Sequence, residues 1–151
     1  PMPCGKLGPD QENHLLKTDH IKSLQSFHKK KNKKGRLPRV CAFNQIESPE
    51  LLGCTAGLQH MYINSNATLS PCDFVPLGFG DLTKEPYDKV LDRMNKAIGL
   101  PRAHCMIQTN YKLFEKYLSD TSPLPTQKSL AVAQKLKADQ LPGYYRLILK
   151  G

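Results

Sequence analysis

The chain has 151 residues, a length that suits one domain or two small ones around a modest core. Its apolar fraction is 39% with no Trp, and no segment approaches the roughly 20 apolar residues of a membrane span. The formal charge of +9 would suit a nucleic-acid partner, but six basic residues (Lys29, Lys30, Lys31, Lys33, Lys34 and Arg36) fall in one short run, which reads as a solvated helix end and turn.

The opening "PMPCGKLGPDQEN" is loop-like, with three Pro and two Gly. It has no charged-then-apolar export signal, so a cytoplasmic location is expected. The start reads as a segment of a longer protein. Thr18 predicts an N-cap for a helix over about 19–31, with Ile21, Leu24 and Phe27 at helical spacing and Gly35 ending the turn. "RVCAFNQI", residues 39–46, has the β-branched and aromatic character of a short buried strand, with Cys41 in the core. Helix then strand is a piece of a parallel α/β unit, and its unpaired edge predicts self-association of the isolated chain.

"LQHMYIN" and "TLSPC" predict a β-hairpin turning at "NSNA", where Asn tolerates the left-handed conformation. A Pro/Gly loop follows. A helix is predicted over about 86–98, with Pro86 at its first position, one face of Val90, Leu91, Met94 and Ile98, and Gly99 as its stop. Another amphipathic helix is predicted over 110–119, through Tyr111, Phe114, Tyr117 and Leu118. The last helix is expected near 127–140, with "GYYRLILKG" as a strand after it.

The five cysteines are odd in number and irregularly spaced, which favours metal binding or structural thiols over a disulfide framework. Cys54 leads into the hairpin, Cys72 leaves it, and Cys105 follows the return of the helix at Gly99. Three soft thiolates converging from different elements suit an iron–sulfur cluster or a zinc ion. No CxxC pair is present, and buried structural thiols are the competing reading. Gly53 and Gly57 allow close backbone approach around Cys54, and Pro71 suits the point where a strand leaves its ladder.

The stretch "GCTAGLQHMYINSNATLSPCDFVPLGFGDL" closely resembles the C-terminal auxiliary-cluster region of radical S-adenosylmethionine proteins, the SPASM/twitch group. The matching residues are Gly53, Cys54, Ala56, Gly57, Tyr62, Ile63, Asn64, Pro71, Cys72, Pro76 and Gly80, and Cys105 stands where that family places its next cysteine. The departures are Ala67 for a common Gly, Asp81 for a common Asn, and Gln108 in place of a second cysteine after Cys105. They imply the shorter, single-cluster twitch type. The CxxxCxxC loop that binds the catalytic cluster and S-adenosylmethionine does not occur in this sequence.

The resemblance implies an α+β chain in three parts. Residues 1–46 would be the end piece of a partial α/β barrel (helix plus strand), 47–110 the cluster domain and 111–151 a C-terminal helical extension. It implies a 4Fe–4S auxiliary cluster on Cys54, Cys72 and Cys105, with no catalytic residue in the chain. S-adenosylmethionine would enter only through a core elsewhere, on the same or a separate chain. The substrate would be a peptide or protein, positioned by the domain or exchanging electrons through it.

For a fourth ligand, Cys41, Cys4, His104 and His60 are weaker candidates than an open iron or a ligand from outside the chain. His60 reads as a surface residue of the hairpin, and Asp73 as a loop hydrogen-bonding group or an orienter of substrate. His14, His20 and His28 read as solvent-facing. The rival reading is a zinc-stabilised or metal-free module binding an acidic or nucleic-acid partner; a third is a remnant whose function is lost.

Overall fold

The computed structural model describes residues 16–33, 35, 38–99, 101–118 and 123–149. Cys4, His14 and the N-terminal loop lie outside them, as do Lys34 and Arg36 of the basic run. Among the described residues the architecture mixes short helices with one two-stranded antiparallel sheet, as an α+β chain does.

Helix α1 spans Thr18–Asn32 and α2 spans Phe43–Ile46. Thr18 is the first helical residue; Lys17 takes the cap position without a side-chain bond. The strand expected over 39–46 is absent, and α1 supplies the reason. Ile21, Gln25, His28 and Asn32 share one face of that helix. From that face Asn32 Nδ2 donates to the Val40 carbonyl (2.7 Å), and Asn32 Oδ1 accepts the Val40 N–H (3.0 Å). His28 Nδ1 accepts the Ala42 N–H at 3.0 Å, and Gln25 Nε2 donates to the Asn44 carbonyl at 3.0 Å. Backbone groups that a sheet ladder would have used are thus satisfied by helix side chains. His20 is exposed as expected, whereas His28 is half-buried and engaged. Cys41, expected in the core, is exposed.

The hairpin is present. Strands β1 (Tyr62–Ile63) and β2 (Leu69–Ser70) pair Tyr62 with Ser70 and Ile63 with Leu69. Strand β2 is buried because a third segment lies on its far side: Leu69 N–H donates to the Gly80 carbonyl (3.0 Å) and Phe79 N–H to the Leu69 carbonyl (2.8 Å). In the turn, Asn64 Oδ1 accepts the N–H groups of Asn66 (3.0 Å) and Thr68 (2.9 Å). The left-handed residue is Ala67, at φ 57°, not an Asn. A left-handed L-residue costs about 1–2 kcal/mol, and Gly returns part of that gain as chain entropy. Ala67→Gly is therefore expected to stabilise the protein by about 1 kcal/mol in denaturant unfolding. A loss of stability would contradict this turn.

Helix α3 spans Tyr87–Ile98, with Pro86 at its cap position. Val90, Met94 and Ile98 are buried and Leu91 packs on the same core. Gly99, at φ 81°, ends it by donating to the Asn95 carbonyl at 2.9 Å. Helix α4 (Met106–Thr109) precedes the helix expected over 110–119, which among the described residues is α5 (Tyr111–Phe114) and a 3₁₀ turn at Glu115–Tyr117. Asn110 makes the break between α4 and α5. Its buried amide donates to the Met106 carbonyl (2.9 Å) and accepts the Lys137 N–H (2.9 Å).

Helix α6 spans only Thr126–Ala133, and the expected terminal strand is instead helix α7, Gly143–Ile148. Pro142 supplies a fixed φ at its start. The N–H groups of Gly143 and Tyr144 reach back to the carbonyls of Pro49 (2.8 Å) and Leu51 (3.1 Å).

One core gathers Leu69, Val75, Leu77, Phe79, the buried face of α3, Met106, Ile107, Phe114, Leu124 and Val132. Cys54, Cys72 and Cys105 pack against it, half-buried. The C-terminal segment joins the same core. Buried Ser129 accepts the Gly78 N–H (2.9 Å) and donates to the Leu124 carbonyl (3.0 Å). No helix among the described residues is long and apolar enough to cross a membrane.

Candidate metal centre

Cys54 is placed by two backbone features. Gly53 has φ 64°, a conformation that favours glycine, and its Cα faces the Arg102 carbonyl and the Pro142 ring. Cys54 N–H then donates to that same carbonyl at 2.8 Å, in an isolated antiparallel bridge. The bridge sets Cys54 beside the segment that carries Cys105 three residues later. Cys105 itself stands at the cap position of α4.

The next turn folds the chain toward Cys72. The Thr55 carbonyl accepts N–H groups from Leu58 (3.1 Å), Gln59 (3.1 Å) and His60 (3.0 Å). Gly57 N–H lies 2.8 Å from both the His60 and the Pro71 carbonyls. Cys72 follows Pro71, so one glycine ties the loop after the first thiol to the residue before the second.

The thiols of Cys54 and Cys105 are hydrogen-bonded to each other. Cys54 is lowered to about 6, first because Cys105 holds the shared proton. Burial works against this, and the N–H groups of Met106 (3.4 Å from Sγ) and Ala56 add to it. Cys105 is raised, first as the donor to Cys54 and then by burial, against N–H groups of Gln108 and Ile107. Cys72 is pushed up to about 12. Burial is the main cause, the Phe74 N–H opposes it, and the adjacent Asp73 and the charge of Cys54 add to it. The shared proton thus favours the thiolate form of Cys54 over that of Cys105, and burial favours the protonated form of Cys72.

This donor set fits a thiophilic metal centre. Three cysteines outside any disulfide, from three elements, rest on one core, and each sulfur has at least one backbone N–H directed at it. Such N–H donors are how proteins stabilise the sulfurs of a cluster and tune its potential.

The other candidates separate clearly. Cys41 is exposed and not part of the core that the three thiols share. His104 is engaged elsewhere: Nδ1 lies 3.0 Å from Asp139 Oδ1, and its N–H donates to Oδ2 at 2.8 Å. Burial raises the Asp139 carboxyl, but those bonds outweigh it and leave the group low. His60 and Asp73, read as independent surface groups, are neighbours. His60 Nε2 lies 3.5 Å from Asp73 Oδ1, and Cys72 Sγ donates to the same oxygen at 3.2 Å. The Gly57 turn helps bring His60 back to Asp73, and no sequence spacing signals that return. The carbonyl of Arg102, which receives Cys54, was equally invisible.

The family model of the SPASM domain, an iron–sulfur cluster-binding domain, matches residues 54–112. The match begins at Cys54 and contains Cys72 and Cys105. No curated protein and no solved structure matches the chain.

Proposed function

We propose that residues 54–112 hold an auxiliary 4Fe–4S cluster through the thiolates of Cys54, Cys72 and Cys105, in the service of a radical S-adenosylmethionine reaction. The observation that carries this reading is the contact of the Cys54 and Cys105 thiols under backbone N–H donors, inside the stretch that the SPASM model matches. When bound, the cluster supplies a one-electron redox centre.

The chain's own residues prepare that site. Cys54, the thiol whose ionised form is favoured, is the first ligand; Cys105 and Cys72, both raised, must each release a proton on binding. The N–H groups of Ala56, Met106, Phe74, Ile107 and Gln108 offset the negative charge on the sulfurs. A groove of about 440 Å³ runs beside Cys72 along the hairpin, lined by Tyr62, Asn64, Ser70 and Asp73 among others. Amide, hydroxyl and carboxylate groups in an open groove suit the backbone of a peptide substrate. In that reaction the S-adenosylmethionine site would lie on a core carrying the CxxxCxxC loop that this sequence lacks.

Anaerobic reconstitution followed by iron and sulfide analysis tests the reading. The protein is expected to hold roughly four irons, as a 4Fe–4S centre requires. Cys54→Ala, Cys72→Ala and Cys105→Ala are expected to fall to background, and Cys72→Ala to lose stability as well. Cys41→Ala and Cys4→Ala are expected to keep the iron. Equal iron in Cys72→Ala and Cys4→Ala would overturn the ligand assignment.

A further inference from the structure

We propose that His60, Cys72 and Asp73 form a mononuclear site for a borderline divalent cation, zinc or cobalt, in the cluster-free protein. One donor atom from each lies within 4.8 Å of the others. Two of the pairs share Asp73 Oδ1: Cys72 Sγ at 3.2 Å and His60 Nε2 at 3.5 Å. Zinc bonds of about 2.0–2.3 Å at tetrahedral angles put neighbouring donors about 3.3–3.5 Å apart. Both spacings to Asp73 Oδ1 are close to that value, and the third pair lies within 4.8 Å. Donors to different irons of a cluster stand farther apart, so this trio is a separate arrangement that shares only Cys72 with the cluster.

The chemistry agrees with the spacing. Thiolate, imidazole and carboxylate together select zinc or cobalt over the hard cations magnesium and calcium. Ionised Cys72 and Asp73 match the charge of a divalent ion. His60 is held in place by its backbone, N–H to the Thr55 carbonyl (3.0 Å) and carbonyl to the Gly57 N–H (2.8 Å). His60 and Asp73 are half-exposed, so an ion reaches them from solvent and water can complete the tetrahedron. Because Cys72 serves both arrangements, an ion held here excludes the cluster.

Zinc titration of the reduced, metal-free full chain by calorimetry tests this, with cobalt absorption reporting thiolate ligation. One ion per chain is expected. His60→Ala and His60→Gln should each weaken it roughly tenfold or more, because the loss of a ligand costs at least what the loss of a supporting group does. Cys105→Ala should leave zinc affinity unchanged. Zinc affinity that ignores both His60 variants, or that requires Cys105, would overturn the proposal. Iron reconstitution of the same variants keeps the two readings apart. His60→Ala should take up the cluster at the wild-type level and Cys105→Ala should not, whereas preloaded zinc should block uptake in the parent protein only.

Discussion

Gly53→Ala is expected to cost about 2–5 kcal/mol and to abolish the iron uptake proposed for Cys54, Cys72 and Cys105. An alanine Cβ there would run into the Arg102 carbonyl and would sit 2.6 Å from Pro142 Cγ and 3.0 Å from Ala103 Cα. Two of these neighbours are backbone and the third is a proline ring, so none can rotate away. The left-handed backbone adds about 1–2 kcal/mol of intrinsic cost, and forced overpacking typically adds about 1–3 kcal/mol. Relief requires Arg102 to move, which breaks the Cys54 N–H bond to its carbonyl and separates Cys54 from Cys105. Thermal unfolding and iron content should therefore fall together. A variant with full iron content would mean that Gly53 does not position Cys54.

Phe79→Ala should be the more destabilising change, at about 3–5 kcal/mol, the usual cost of emptying an aromatic core position. Phe79 is fully buried, and its backbone is fixed at both ends. Its N–H donates to the Leu69 carbonyl (2.8 Å), and its carbonyl accepts Arg93 Nη1 (2.7 Å), an arginine also paired with Glu85. The segment is held and cannot collapse into the void. Against a typical domain stability of about 5–15 kcal/mol, that is a large share. Denaturant unfolding should show the midpoint moving down. A change under about 1 kcal/mol would mean that the third segment beside β2 does not pack as described.

What the sequence made legible was local. Gly99 after the apolar face of Val90, Met94 and Ile98 marks its helix end without any partner. Asn64 and Pro71 bracket a hairpin by their own conformational preferences. Those same preferences put Cys72 at the hairpin's exit, whereas Cys54 stands eight residues before β1 and is placed by its bridge to Arg102. The misreadings occurred where a distant group decided the outcome. "RVCAFNQI" has strand composition, but the helix face bearing Gln25, His28 and Asn32 takes its backbone groups. Asn110 looks like an ordinary helix residue until Lys137 donates to it. "GYYRLI" has the aromatic and branched residues of a strand, yet Pro142 and the carbonyls of Pro49 and Leu51 start a helix. The His60–Asp73 pair was illegible for a related reason: it depends on the Gly57 turn, which the residue types permit but do not require.

The closure around Gly53 also sets an order of events in time. Segment 49–54 is held by Arg102 through Cys54 and by Gly143 and Tyr144 through Pro49 and Leu51, while Ala103 N–H donates to the Gln140 carbonyl. All these partners are distant in the chain, and contacts closing long loops form slowly because chain entropy opposes them. On the ribosome, Cys54 emerges long before Pro142 and Gly143 can close against the segment that carries it. Until then its thiol is open to solvent, oxidants and whatever metal the cell offers first. Shielding of Cys54 is thus a step that follows synthesis of the segment carrying Pro142, Gly143 and Tyr144.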